Sequence, residues 1–374
     1  VIRPLAAALL SISVALAVGE AATRLLAARS EALLWTGERK ALFNPYRPDA
    51  RLGWALRPDW TARDEAPDYR VTVRTNALGL RGPEAAPHPS PGVTRVLVLG
   101  DSFAFGYGVE DEESFPRRLE ARWRAEGRAV EVLNAAVPGY SADHHLVYLR
   151  TRGFALEPDL VLVALCENDV DDLGWSRLAL GPDRLPQRID SLRRLVDENG
   201  RLRYVNEDRV PLPERWLAAP LSGWLAEHSH LYNWLRFNGV RTWVGWTARR
   251  EDAARQRAAG APPEGPIEAL PAAEIARGLA SGDAFRHRYH RFLVDAIRAE
   301  AAAHGVPVRF VVTGGGAGPL AADCAAATDC FDAAALLPRD RAAAYLPVDG
   351  HWSAEGHRIV SDALAAWLAA GGAP

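Results

Sequence analysis

Between Val93 and Ala370 short runs of consecutive hydrophobes alternate with apolar stripes spaced three and four residues apart, and their order predicts the fold. Arg95–Leu99 reads RVLVL, a short buried strand that Gly100 ends. A helix follows over roughly Ser114 to Glu126, then a strand over Val130–Leu133 and a helix running from Ser141, its N-cap, to Phe154. Pro158–Leu165 (PDLVLVAL) is a third strand, apolar on both faces as parallel strands usually are. Farther along, Phe285, Tyr289, Phe292, Leu293, Ala296 and Ile297 form a helical stripe, Val308–Val312 a strand and Ser353–Ala370 a C-terminal helix. Strands and helices in this alternation predict an α/β domain over 93–374, with a mostly parallel sheet and right-handed crossovers.

Three stretches depart from that rhythm. Residues 29–92 are broken by Pro45, Pro48, Pro58, Pro67, Pro83, Pro87, Pro89 and Pro91, and read as an N-terminal extension packed on the main domain. Within it Tyr69–Arg74 alternates as a strand does, and Asn76-Ala77-Leu78-Gly79 is turn-like. Asp171 to about Gly282 reads as an insertion and carries Trp175, Trp216, Trp224, Trp234, Trp243 and Trp246. Bulky aromatics most often serve burial, so a small core of its own is the preferred reading, beside a lid or a carbohydrate platform. Residues 1–28 contain the uncharged run Leu5–Gly19 behind Arg3, which fits a secretory signal better than a full span of ~20 apolar residues. Ala15-Leu16-Ala17 offers a cleavage site. Leu25, Leu26, Leu33 and Leu34 offer instead a continuing helix and an uncleaved anchor, and a buried core helix is the third reading.

Composition adds limits. The 374 residues, 48% hydrophobic and 24% charged, exclude wholesale disorder and a multi-span membrane protein. The net charge of −3 and the scatter of basic residues leave no footprint for nucleic acid. Lys40 is the only lysine, a coding bias toward Arg rather than a phosphate site. Cys324 and Cys330 bracket ADCAAATDC, spaced for a small disulfide loop in an oxidising compartment, whereas Cys166 reads as a buried small hydrophobe.

Three blocks carry candidate chemistry. Gly100-Asp101-Ser102-Phe103 follows the first strand, at the end that faces the crevice of a parallel sheet. There Ser102 reads either as a nucleophile or, with Asp101, as a turn cap. Ala104 rules out the G-x-S-x-G elbow. Gly139, after the second strand, has no Cβ to keep backbone N–H from a substrate, and Asn168, after the third, is either an oxyanion donor or a turn residue. In Asp349-Gly350-His351-Trp352 the carboxylate is placed to hold one ring nitrogen of His351 and leave the other as a base. Asp340 and Glu355 are near enough in sequence to replace Asp349, and His357 could form a metal pair with His351, although no third ligand suggests itself.

Together these blocks resemble the SGNH, or GDSL-type, hydrolase superfamily over about Val93 to Ala370, including a bacterial subgroup in which a hydrophobic segment and an extension precede VLVLGDSFAFGYGV. The resemblance implies a three-layer α/β/α, flavodoxin-like fold. It also implies a serine esterase with Ser102 as nucleophile, His351 as base, Asp349 orienting it, and Ser102, Gly139 and Asn168 forming the oxyanion hole. No metal or cofactor is required by that chemistry. Two departures stand out: Cys166 occupies a position where glycine is frequent, and D-x-H replaces the commoner D-x-x-H. The short spacing is similar to the DxHW form of polysaccharide O-acetylation relatives, including those of alginate synthesis. The expected substrate is therefore a small-molecule or glycan ester, outside the cytoplasm at the periplasmic or cell-surface side, with the N-terminal segment contacting the membrane. An O-acyltransferase using the same residues and an inactive glycan-binding or scaffold protein are the competing readings.

Overall fold

The computed structural model of the chain describes residues 2–27, 45–66, 68–175, 229–235, 256–314, 318–337, 342–347 and 349–371, with shorter stretches between 178 and 254. Helix α1 (Ile2–Ala27) carries the uncharged run and continues through Glu20 and Arg24. Leu33 and Leu34 lie outside the described residues. Leu10, Ile12, Val14, Leu16, Val18 and Leu25 of α1 are each more than half exposed, so α1 is not the buried core helix of the third reading. Among the described residues no helix is long and apolar enough to cross a membrane. Glu20 accepts hydrogen bonds from Ser229 Oγ at 2.7 Å and from the His230 and Leu231 N–H groups at 3.0 Å, which ties α1 to the short helix His230–Trp234.

The extension folds into two antiparallel hairpins, β1 (Tyr46–Asp49) with β2 (Gly53–Leu56), and β3 (Thr61–Ala66) with β4 (Tyr69–Arg74). β4 coincides with the alternating segment, and its residues point alternately inward and outward. Its partner β3 was not legible because TARDEA has no apolar face. The residue it buries is Asp64, which accepts from the Tyr69 hydroxyl at 3.1 Å. Buried Trp54 meets Tyr140 edge-on, and the Tyr140 hydroxyl donates to the Trp54 carbonyl at 2.6 Å, so one apolar core runs from the extension into the sheet. Two buried arginines fasten this junction by donating to backbone carbonyls. Arg81 reaches the carbonyls of Phe105, Gly106 and Val109. Arg95 reaches those of Ala86, Pro87 and Leu156.

The main domain follows the predicted alternation. β5 (Thr94–Leu99) leads through α2 (Ser102–Phe105) and α3 (Phe115–Ala125) to β6 (Val130–Asn134). Helix α4 (Ala142–Tyr148) leads to β7 (Leu160–Cys166), buried at every residue, and then to α5 (Asn168–Trp175). The chain resumes with α6 (Ala272–Ser281), α7 (Asp283–Ala303), β8 (Val308–Gly314), α8 (Pro319–Ala325), β9 (Cys330–Asp332) and α9 (Ala354–Ala370). The five strands lie in the order β9-β8-β7-β5-β6, all parallel. Two groups of helices flank them, α3 packed on α9 and α7 packed on α4 and α5.

Three departures from the sequence reading have local causes. The helix expected through Phe154 is α-helical only to Tyr148. It then widens into a π turn over Leu149–Gly153, where the Thr151 hydroxyl donates back to the Val147 carbonyl, and closes as a 3-10 turn. The edge strand β9 is three residues long, too short for a periodic signal. Helix α5 runs to Trp175, past the Asp171 where the insertion was expected to begin. Trp216, Trp224, Trp243 and Trp246 lie outside the described residues, and Trp234 is 41% exposed. Cys324 and Cys330 are joined by a disulfide between α8 and β9, and Cys166 is a buried free thiol.

Candidate active site

The order of the strands sets the site. From β5 the chain steps outward to β6, then returns to the other side of β5 for β7, and a parallel sheet opens a crevice at the strand ends beside such a reversal. Ser102 begins α2 just beyond β5, and Asp101 before it caps that turn by accepting from the Phe103 N–H at 2.9 Å. The capping role weighed for both residues thus falls to Asp101, and Ser102 faces the crevice. Its Oγ lies 2.7 Å from His351 Nε2, and His351 Nδ1 is in hydrogen-bond contact with Asp349 Oδ1. Residues far apart in the chain therefore meet in one line of hydroxyl, imidazole and carboxylate, an arrangement able to pass the hydroxyl proton to the ring.

The short D-x-H spacing works because Gly350 turns with φ +87°, a region that side chains other than glycine seldom occupy. The loop closes on itself through Gly350 N–H to the Leu346 carbonyl at 2.9 Å and Leu346 N–H to the His351 carbonyl at 2.8 Å. The Asp349 N–H donates to Asp68 Oδ2 of the extension, also at 2.9 Å. Glu355, the alternative carboxylate, is engaged with Arg358, while Asp340 lies outside the described residues. His357 is buried away from the cleft, where its Nδ1 accepts from the Phe115 N–H at 3.2 Å. It makes no pair with His351, and no cluster of metal-ligating side chains occurs among the described residues.

Ser102, Gly139, Asn168, Asp349 and His351 line one cleft of about 540 Å³ with Tyr46, Phe103, Tyr107, Pro138 and Asp172. Residues 98–359 match the model of the GDSL-like lipase/acylhydrolase family. This chain belongs to that family. It is 28% identical to an arylesterase of Vibrio mimicus over 117 residues, 31% of this chain and 56% of the relative. Among solved structures, a lipolytic protein of the G-D-S-L family from Desulfitobacterium hafniense DCB-2, described there as putative, is 14% identical over 74% of this chain and 99% of its own, at a TM-score of 0.29. The SGNH-hydrolase family esterase AlinE4 is 31% identical over 22% of this chain and 44% of its own, at a TM-score of 0.19. The chain thus spans about half the length of the arylesterase and of AlinE4.

Both departures from the family pattern have a structural reason: for the D-x-H spacing it is Gly350, and for Cys166 it is a trade across two strands. Cys166 stands opposite Gly314 of β8, and a Cβ on that glycine would sit 2.8 Å from the Cys166 sulfur. The larger residue on β7 is matched by the absence of a side chain on β8.

Beneath the cleft Asp101 and Asp169 are fully buried near each other. Burial pushes Asp101 up to about 6, against the Phe103 N–H and the charge of His351, and raises Asp169 well above the usual carboxylate range. Sequence reasoning missed five contributors to the site. Tyr107, within the GDSFAFGY run, and Phe103 flank the His351 ring with centroids 5.0 and 4.9 Å away. Tyr46 and Asp68 come from the extension, where no local signal marks them. Asp172 was detectable, since it lies four residues after Asn168 on one helical face.

Proposed function

We propose that this protein is a serine-dependent ester hydrolase acting outside the cytoplasm, on an acyl ester of a small alcohol or a glycan. The observation that carries the reading is the 2.7 Å approach of Ser102 Oγ to His351 Nε2, with Asp349 on the far nitrogen of the same ring. Ser102 attacks the ester carbonyl while His351 takes its proton, and Asp349 holds the ring in register and stabilises the imidazolium. The Ser102 and Gly139 N–H groups and the Asn168 amide receive the oxyanion. As the tetrahedral intermediate collapses, the C–O bond to the alcohol breaks and His351 returns the proton to the leaving oxygen. Water then attacks the acyl-Ser102 ester with His351 again as base, releasing the carboxylic acid and restoring the serine hydroxyl.

Location outside the cytoplasm is supported by the apolar side chains exposed along α1, which suit contact with a membrane, and by the Cys324–Cys330 disulfide, which suits an oxidising compartment. A panel of p-nitrophenyl and glycan acetates tests the chemistry, with Ser102→Ala as control. Release of acetate by wild type and its loss in the variant is the expected result. Transfer of acetyl to an added glycan hydroxyl without release to water would move the reading to an acyltransferase, and the absence of both would remove it. Cell fractionation tests the location, and full-length chain recovered from the cytosol would overturn that part.

A further inference from the structure

A carboxylate is an unexpected wall for a cleft in which negative charge is to develop, because fixed charge of the same sign opposes the oxyanion. Asp172 is nevertheless among the residues lining it, and its Oδ2 accepts from Asn168 Nδ2 at 3.1 Å. We infer that Asp172 is a positioning residue that fixes the Asn168 amide with its nitrogen end toward the reacting carbonyl; this rests on the ester-hydrolase reading.

The argument runs along α5. The start of the helix is anchored from below: Asp169 is buried, and its Oδ2 accepts from the Cys166 N–H at 3.2 Å, locking the turn out of β7. The Asn168 backbone is therefore placed, but its side chain is exposed and, left alone, would sample several rotamers and both amide orientations. An amide turned end for end would aim its carbonyl oxygen at the oxyanion. Asp172 one helical turn later removes that freedom. As a carboxylate it only accepts, so it binds the Nδ2 end and repels the Oδ1 end. One N–H is used in that bond, and the planarity of the amide then fixes the direction of the other. The helical period of 3.6 residues is what brings positions 168 and 172 to one face.

The test compares Asp172→Ala, Asp172→Asn, Asn168→Ala and the double variant Asn168→Ala/Asp172→Ala on p-nitrophenyl acetate, each first checked for wild-type melting behaviour. Losing a whole oxyanion donor reduces turnover by roughly 10²–10³, and loosening one is expected to reduce kcat by about tenfold in Asp172→Ala with KM little changed. Asp172→Asn keeps an acceptor oxygen but adds a donor that tolerates the reversed amide, and is expected to recover only part of that loss. The double variant should be no slower than Asn168→Ala, since Asp172 acts through Asn168. Wild-type kcat in Asp172→Ala, or losses that multiply in the double variant, would overturn the inference. Full activity in Asn168→Ala or Ser102→Ala would instead remove the hydrolase reading beneath it. Should Asp172→Ala melt early, the Asp172→Asn and Asn168→Ala pair still decides. An Asp172→Asn enzyme as slow as Asn168→Ala would point to the charge rather than the acceptor and overturn the positioning role.

Discussion

The turn carrying Ser102 is closed largely by its own residues: Asp101 takes the Phe103 N–H, and the N–H groups of Gly106 and Tyr107 reach back to the Ser102 carbonyl at 3.1 and 3.0 Å. The turn carrying His351 depends more on distant segments. Asp68 holds the Asp349 N–H across 281 positions of chain, and buried Trp352 packs edge-on against Phe103 and Phe115. A turn closed by its neighbours carries its geometry in its own short motif. The His351 turn closes on itself only in part, through Gly350 and Leu346, and takes the rest of its support from distant segments.

The sharpest way to probe the less local turn is Asp349→Asn. Turnover should fall by up to ~10⁴-fold with KM little changed, on the serine-protease precedent for a misdirected imidazole tautomer. Steady-state kinetics check this, and wild-type rates would reduce the triad to a Ser102–His351 dyad. On the Ser102 side the buried brace from the extension is Arg81, beside the Asn134 amide, which donates to the Ala104 carbonyl at 3.0 Å. Arg81→Ala would remove the buried guanidinium bonds to the Phe105, Gly106 and Val109 carbonyls and is expected to destabilise the protein by about 3–5 kcal/mol. Denaturant titration measures it, and a loss under 1 kcal/mol would mean that the turn stands without its brace.

The support beneath His351 should also be acid-sensitive. Burial, followed by the charges of Arg81, Arg118 and His351, lowers His357 to about 3, so folding requires a neutral ring. An unfolded histidine titrates near 6.5, and the folded protein binds fewer protons between that value and about 3. The contribution is therefore complete above pH ~6.5 and is lost as pH falls, by ~1.4 kcal/mol per unit. Between pH 7.5 and 5 the stability advantage of wild type over His357→Leu should shrink by about 2 kcal/mol. A constant gap in denaturation curves across that range would show that His357 is not held neutral. The smallest expected effect is that of Asp68→Ala, which releases one backbone N–H of the base turn. About a tenfold loss of kcat (~1.4 kcal/mol) is expected, with binding retained. An unchanged rate would make the extension a bystander to the chemistry.

The strands β5, β6, β7 and β8 were legible from short clusters of hydrophobes, unbroken through β7 and carrying one charged residue each in β5, β6 and β8, as suits parallel strands covered on both faces. The positions of Ser102, Gly139 and Asn168 followed from the same runs, since each sits just beyond a strand's C-terminal end, and Asp349 and His351 were marked by their own short motif. The sequence could not disclose β3, whose buried residue is a charged Asp64, or the reach of Asp68 and Arg81 into the site. Those side chains carry no periodic signal, and their roles exist only once hairpins and sheet have met. Hydrophobic period is a property of neighbours along the chain, so it determined the sheet and where its crevice opens. Which carboxylate, arginine or tyrosine fills that crevice depends on contacts between segments that share no local pattern, and the tertiary structure alone decided it.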